Sequence, residues 1–332
     1  MTLADRIADC RNSIAVVDRT GCATLLNGAA ECAGLIRKCP IRYVLTDDLT
    51  RLCTELAYSR GARNLACADL LHVPAELLWV EWCYTPWREC LDRYGFGGTP
   101  DRAPGRRGTL VRASKDGRRG VVRTLWSDIT LGTLASSIEC YFDLDTASGD
   151  EPESPNTPGG PSVRVYDSAY KPEKDVLGRC FRFRFEASWW DYYARARLSA
   201  AELEAVSRHA LGTIAIDIPV LLTFLLLLAS RAGLPRSAPD LSRLNRSRVK
   251  SHKPPLLDHI QVRAPLLPEY LGNARSEHGS TRRGPRLHHV RGHLMRSGNR
   301  LVWRVPHLRG IARAGAIRTR TVTWTFDKAG LN

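Results

Sequence analysis

SIECYFDL, residues 137–144, alternates without a break: Ile138, Cys140, Phe142 and Leu144 are apolar, and Glu139, Tyr141 and Asp143 stand between them. A period of two belongs to a β-strand with one buried and one wet face. The same character extends to both sides. TLVRASKDGRRGVVRTLW, residues 109–126, predicts a hairpin turning at Lys115-Asp116-Gly117, where glycine tolerates a positive φ. LLWVEW, residues 77–82, is too rich in large apolar groups for a surface loop. Strands resume at SVRVY, residues 162–166, and at CFRFRFE, residues 180–186, where Phe181, Phe183 and Phe185 alternate with Arg182 and Arg184.

Helical patterns flank these strands. In residues 46–64, Leu49, Leu52, Cys53 and Leu56 share one helical face, with Thr46 as N-cap and Asp47 and Asp48 near the positive end of the dipole. Ser199-Ala200-Ala201-Glu202 is a capping box. Ile218–Ala229 is an apolar run of twelve residues, too short to cross about 30 Å of hydrocarbon as a helix, and reads as a buried core helix. Pro219 fits its first turn. The expected fold is α+β: a helical N-terminal region, an antiparallel sheet, a Leu-rich core helix and a basic C-terminal β-meander. Residues 1–144 form the helical segment plus sheet. Residues 145–162 form an acidic Pro/Gly-rich flexible loop, and residues 163–233 form strands and core helices. Residues 234–332 form an irregular basic arm followed by a hairpin or meander ending in TRTVTWTF, residues 319–326.

Charge is concentrated at the C-terminal end. Residues 231–332 hold 21 Lys+Arg and 5 Asp+Glu, so they carry more than the whole chain's net +15. A field of one sign over about a hundred residues steers polyanions toward it, so RNA, DNA and an acidic protein surface all qualify as partners. The ten cysteines lie between Cys10 and Cys180 in no zinc-like spacing, and the first thirty residues lack a secretory pattern. Reduced cysteines in a cytoplasmic protein are expected, with no membrane partner. No Walker or GxSxG pattern is present, and no motif asks for a cofactor or a metal.

RLHHVRGHLMRSGNRLVWRVPHLRG, residues 286–310, holds four of the nine histidines, six arginines and no acidic residue. Two strands around a three-residue loop, Ser297-Gly298-Asn299, would set His289 opposite His307 and His293 opposite Trp303. Arg291 and Trp303 would then share their face. Cations beside an indole suit RNA, whose phosphates meet the charge and whose bases stack on the ring. The candidate binding residues are His289, Arg291, Gly292, His293, Trp303, Arg304, His307 and Arg309. The competing reading makes Trp303 and Leu301 core. A sharper alternative is metal-independent RNA cleavage, with His289, His293 or His307 as acid and base and Arg291 stabilising the phosphorane. A third is a phage DNA-binding or structural protein. A metal site is not expected, because His289 and His293 on one strand stand about 13 Å apart.

The element His289-Val290-Arg291-Gly292-His293, set in a basic tail, resembles the C-terminal His-x-Arg-Arg-Gly-His element of a family of phage-, prophage- and plasmid-borne proteins. That family includes a type V-A anti-CRISPR protein. Other parts run in parallel order: a helical N-terminus, the strand VPAELLWVEW (residues 73–82), a strand pair before an acidic loop, the Leu-rich helix Ile218–Ala229 and the segment Leu234-Pro235-Arg236-Ser237. The resemblance implies an accessory protein of a mobile element, in a bacterial host's cytoplasm, that lowers production of a CRISPR effector nuclease. It implies action on the message, the ribosome or the nascent peptide rather than metabolic catalysis. Leu294 departs from the pattern, since it follows the second histidine where the family carries an aromatic residue.

Overall fold

The computed structural model describes residues 1–9, 27–58, 70–93, 105–128, 132–145, 162–164, 181–185, 197–230, 234–265, 286–290, 293–298, 300–304, 307–309 and 311–316. The chain divides into two units, Met1–Pro265 with Leu294–Val302, and Leu266–His293 with Trp303–Asn332. The first unit contains a nine-stranded sheet. Its strands are β1 (Ile41–Leu45), β2 (Leu77–Cys83), β3 (Arg106–Ala113), β4 (Arg119–Asp128), β5 (Gly132–Asp143), β6 (Ser162–Arg164), β7 (Phe181–Phe185), β8 (Arg236–Ser237) and β9 (Ile260–Val262). They lie in the order β6-β7-β5-β4-β3-β2-β1-β9-β8.

The α+β expectation holds, but the sheet is mixed rather than antiparallel. β1 runs parallel to β2 and to β9, and every other pairing is antiparallel. The parallel β1–β2 step needs a crossover, which α3 (Asp47–Tyr58) supplies. β1 lies in the stretch expected to be mostly helical. IRYVL shows no alternation to mark it, because a strand of a parallel pair is covered on both faces. Residues 234–265 are likewise more regular than expected, with β8, β9 and α7 (Ser242–Lys250).

Other local expectations are met. β3 and β4 join at Lys115-Asp116-Gly117, and Gly117 has φ +69°. A side chain there would meet the Val73 carbonyl, so both conformation and space favour glycine. The Ser199–Glu202 capping box opens α5 (Ala200–Ala215). α6 (Asp217–Ala229) follows with Pro219 in its first turn, and its side chains from Asp217 to Leu227 are all buried. Together Ala200–Ala229 is long and apolar enough to cross a membrane by length and composition, which the twelve-residue run alone was not. About three quarters of its most apolar window (76%) is buried inside the protein.

The two faces of the sheet carry different layers. On one, Leu221, Leu222 and Leu225 of α6 meet Val111, Val122, Phe142 and Phe181, leaving an apolar gap of about 10 Å³. Phe224 stacks edge-on against Tyr43 at 5.3 Å, and the Tyr58 hydroxyl donates to the Ile216 carbonyl. On the other face, α1 (Leu3–Ala8) and α2 (Asn27–Lys38) bring Leu3, Ile7, Cys32 and Ile36 against Trp79, Leu110 and Leu125. Trp79 and Trp82 are core. Cys32, Cys39, Cys53, Cys90 and Cys140 are buried thiols outside any disulfide.

Buried charge ties these layers together. Glu81 is fully buried. Its two oxygens accept from the backbone N–H groups of Leu3 and Ala4, from Trp79 Nε1 and from Arg106 Nε, at 2.7 to 3.1 Å. The carboxylate thus serves two of the free N–H donors at the start of α1. One residue further along β3, Arg107 holds Asp217 of α6 bidentately, Nε to Oδ1 at 2.9 Å and Nη2 to Oδ2 at 2.6 Å. Its guanidinium lies 4.8 Å from the Trp87 ring of α4 (Tyr84–Arg93) and 5.7 Å from the Trp126 ring. Burial pushes the Asp217 carboxyl up, against the opposing pull of Arg107.

Glu139 anchors a third cluster. Arg112, Arg123 and Arg184 all reach its carboxylate, and Tyr141 donates to it at 2.9 Å. Burial alone would raise this carboxyl, but Arg123, Tyr141 and Arg184 together bring it below its ordinary value. A depressed folded value stabilises the fold above the unfolded value and loses that contribution as pH falls through it. Glu139→Gln is therefore expected to flatten the acid limb of a stability-versus-pH curve below about pH 4.5. An unchanged limb in urea titrations would count against the cluster. Asp217→Ala should cost about 3–5 kcal/mol, since it strands the Arg107 guanidinium in the core. Ser199→Ala, which removes the N-cap side chain of α5, should cost about 1 kcal/mol in the same denaturation series.

Candidate functional site

The histidine-arginine stretch forms two ladders. β10 (Arg286–Val290), β13 (His307–Arg309) and β14 (Ile311–Ala316) make a three-stranded sheet in the order β13-β10-β14. β11 (His293–Ser297) and β12 (Arg300–Arg304) make a two-stranded sheet. β14 pairs parallel to β10, so this sheet is not a simple meander. The expected last strand, residues 319–326, lies outside the described residues.

The loop differs from the expectation by one residue, with chemical consequences. β11 includes Ser297 and β12 begins at Arg300, so two residues, Gly298 and Asn299, separate the strands. Gly298 has φ +59°, which suits a tight two-residue hairpin. The β10–β13 register shows the same shift: His288 pairs with Arg309, His289 with Leu308 and Val290 with His307. Positions 289 and 307 therefore occupy neighbouring rungs rather than a common one, and a one-residue slip exchanges faces. The cross-strand His289/His307 pair that carried the nuclease alternative is not formed.

Each candidate residue can now be placed. His289 lies in β10, His293 opens β11, and His307 and Arg309 lie in β13, all four described by backbone position. Arg291 and Gly292 lie outside the described residues. Arg304 is exposed at the end of β12. Trp303, expected to offer its ring for stacking, is instead 5% exposed, and its indole N–H has no hydrogen-bond partner among the described residues. Leu294 and Leu301 are also buried. The competing reading, in which Trp303 and Leu301 are core, is the one the structure bears out.

Along β12 the apolar and basic groups alternate, Leu301 and Trp303 on one face and Arg300 and Arg304 on the other. Arg296, Arg300 and Arg304 are exposed, and Arg296 Nε donates to the Gly298 carbonyl across the turn at 3.0 Å. Arg300 and Arg304 have no ionic partner among the described residues. Guanidinium groups held at a rigid turn over buried supports can meet phosphate or carboxylate through paired N–H donors. The sequence reading missed Arg296 and Arg300. Their signal was available, because both flank the glycine turn and no acidic residue lies near them in sequence.

The assignment of Trp303 to the core is measurable. Trp303→Ala is expected to cost about 3–5 kcal/mol in chemical denaturation. Arg304→Ala should stay within about 0.5 kcal/mol of wild type. Equal, small effects would return Trp303 to the surface. The chain matches no protein-family model, and comparison with curated proteins and with solved structures finds no similar protein.

Proposed function

We propose that this protein is an accessory factor of a mobile element, anti-CRISPR-like in type, that lowers expression of a target in the bacterial cytoplasm. It does so by engaging the target's RNA, the ribosome or the nascent peptide. The observation that carries the reading is the exposed pair Arg300 and Arg304 on a hairpin whose apolar side is buried, within a segment of net charge +16. Such an arrangement is a preformed anion-binding edge. The resemblance at residues 289–293 supplies the biological role. With Trp303 in the core, charge rather than base stacking supplies the affinity. The ribonuclease alternative has lost the histidine pair that motivated it.

The test is a pull-down from a translating bacterial lysate, sequencing both bound RNA and bound peptide. Wild type is compared with Arg291→Ala/His293→Ala and with Arg300→Gln/Arg304→Gln. One enriched message together with its encoded N-terminal peptide, lost in both variants, is the expected result. A broad RNA smear that salt removes from wild type would overturn target-specific action and leave only a basic tail.

A further inference from the structure

Helix α7, SRLNRSRVK at residues 242–250, has no buried residue and no acidic one. It is nevertheless firmly held. Asp240 Oδ1 accepts from the Ser242 backbone N–H at 2.9 Å. Asn245 exchanges two hydrogen bonds with the backbone of Leu256, at 3.0 and 2.7 Å. Arg248 Nε donates to the Pro254 carbonyl at 2.8 Å. The returning strap is in turn fixed to α1, where Asp5 accepts from the Leu257 N–H at 2.8 Å. At the C-terminal end, His252 takes a left-handed conformation (φ 55°), and the Lys253 N–H bonds the Arg248 carbonyl.

These anchors leave one side of the helix facing outward. At 3.6 residues per turn, Arg243, Arg246 and Lys250 fall within about 60° of arc, roughly 160° from the anchoring pair Asn245 and Arg248. All three are exposed, and none has an ionic or hydrogen-bond partner among the described residues. Leu244 and Val249, 49% and 58% exposed, stand on opposite shoulders of the helix, about 130° and 90° from the middle of this row and next to the anchored side. With Met1 they are the large apolar side chains that the described surface leaves out in water.

We propose that the outer face of α7 binds single-stranded RNA, with Arg243, Arg246 and Lys250 on successive phosphates and Leu244 and Val249 against unstacked bases. Charge complementarity selects a polyanion: a stationary row of unpaired cations with no carboxylate among them. The two shoulder residues select a single strand, because a duplex hides its base faces and a single strand presents them. Asn245 is occupied by the strap and offers no amide for reading base edges, so contact is independent of sequence. The choice of RNA over DNA rests on the function proposed above. The surface itself does not involve the C-terminal hairpin residues.

The test measures binding of a fluorescent oligouridylate of about twenty nucleotides to the full chain across a salt series. Each lost phosphate contact lowers the slope of log affinity against log salt by about 0.7 for a single strand, so Arg243→Gln/Arg246→Gln/Lys250→Gln should lower it by roughly 2. Because no α7 residue is buried, the melting temperature should not change. Leu244→Ser/Val249→Ser should weaken binding while leaving the slope intact. An unchanged slope in the triple variant, with loss of binding confined to Arg300→Gln/Arg304→Gln, would overturn the α7 assignment and leave the hairpin reading standing. Equal affinity for duplex DNA would overturn the single-strand assignment. Wild-type protein that binds no RNA at all would overturn both.

Discussion

The buried pair between Arg107 and Asp217 is the contact on which the remaining architecture depends. It joins a central strand of the sheet to the first turn of the helix that fills the core. Neither charge is tolerable alone at that depth, and the two indoles around the guanidinium exclude the water that would otherwise compensate it. A bidentate pair also has a narrow geometry, so one placement of α6 over β3 brings Asp217 within reach. The adjacent Arg106 turns to the opposite face and meets Glu81, which holds the start of α1. Two consecutive residues on one strand therefore fix helices on both sides of the sheet, through the simple alternation of a β-strand.

What the sequence disclosed and what it concealed follow from the same physics. Strands whose apolar and polar side chains alternate, such as β5 and β7, announced themselves in the sequence, although the polar face of β5 is covered around Glu139. The Ser199–Glu202 cap and the Gly117 turn were legible because each has a local chemical requirement. β1 was not legible, because a strand covered on both faces has no pattern to show. The buried roles of Glu81 and Asp217 were also hidden. Each depends on a partner far along the chain, and nothing local distinguishes a buried carboxylate from a solvated one. At the candidate site, composition marked the basic stretch, within which Arg304 is exposed. Register was beyond composition: moving Ser297 from loop to strand shifted the hairpin by one residue, and Leu294 is among the buried residues.

Basic groups in this protein occur in two physical states. Arg106, Arg107, Arg112, Arg123 and Arg184 face carboxylates at 3.3 Å or less and act as internal fasteners. Arg243, Arg246, Lys250, Arg300 and Arg304 stand on rigid backbone with no described counter-charge. Net charge alone does not separate these classes, since a paired arginine and an unpaired one count equally. Only the second class keeps its hydration shell and counter-ions available for exchange with a partner.

The neighbours of β1 are made at very different times. β2 follows it after one helix, but the Thr46 hydroxyl and backbone N–H both bond to Val262, 216 residues further on. On a ribosome, the first strand of the sheet therefore emerges with one edge open and keeps it open until most of the first unit has been synthesised. Closure of so distant a pairing carries a large loop entropy and is slow. The nine-stranded sheet completes last at β1–β9, so the exposed parallel edge of β1 is the segment for which a chaperone or a neighbouring nascent chain would compete during synthesis.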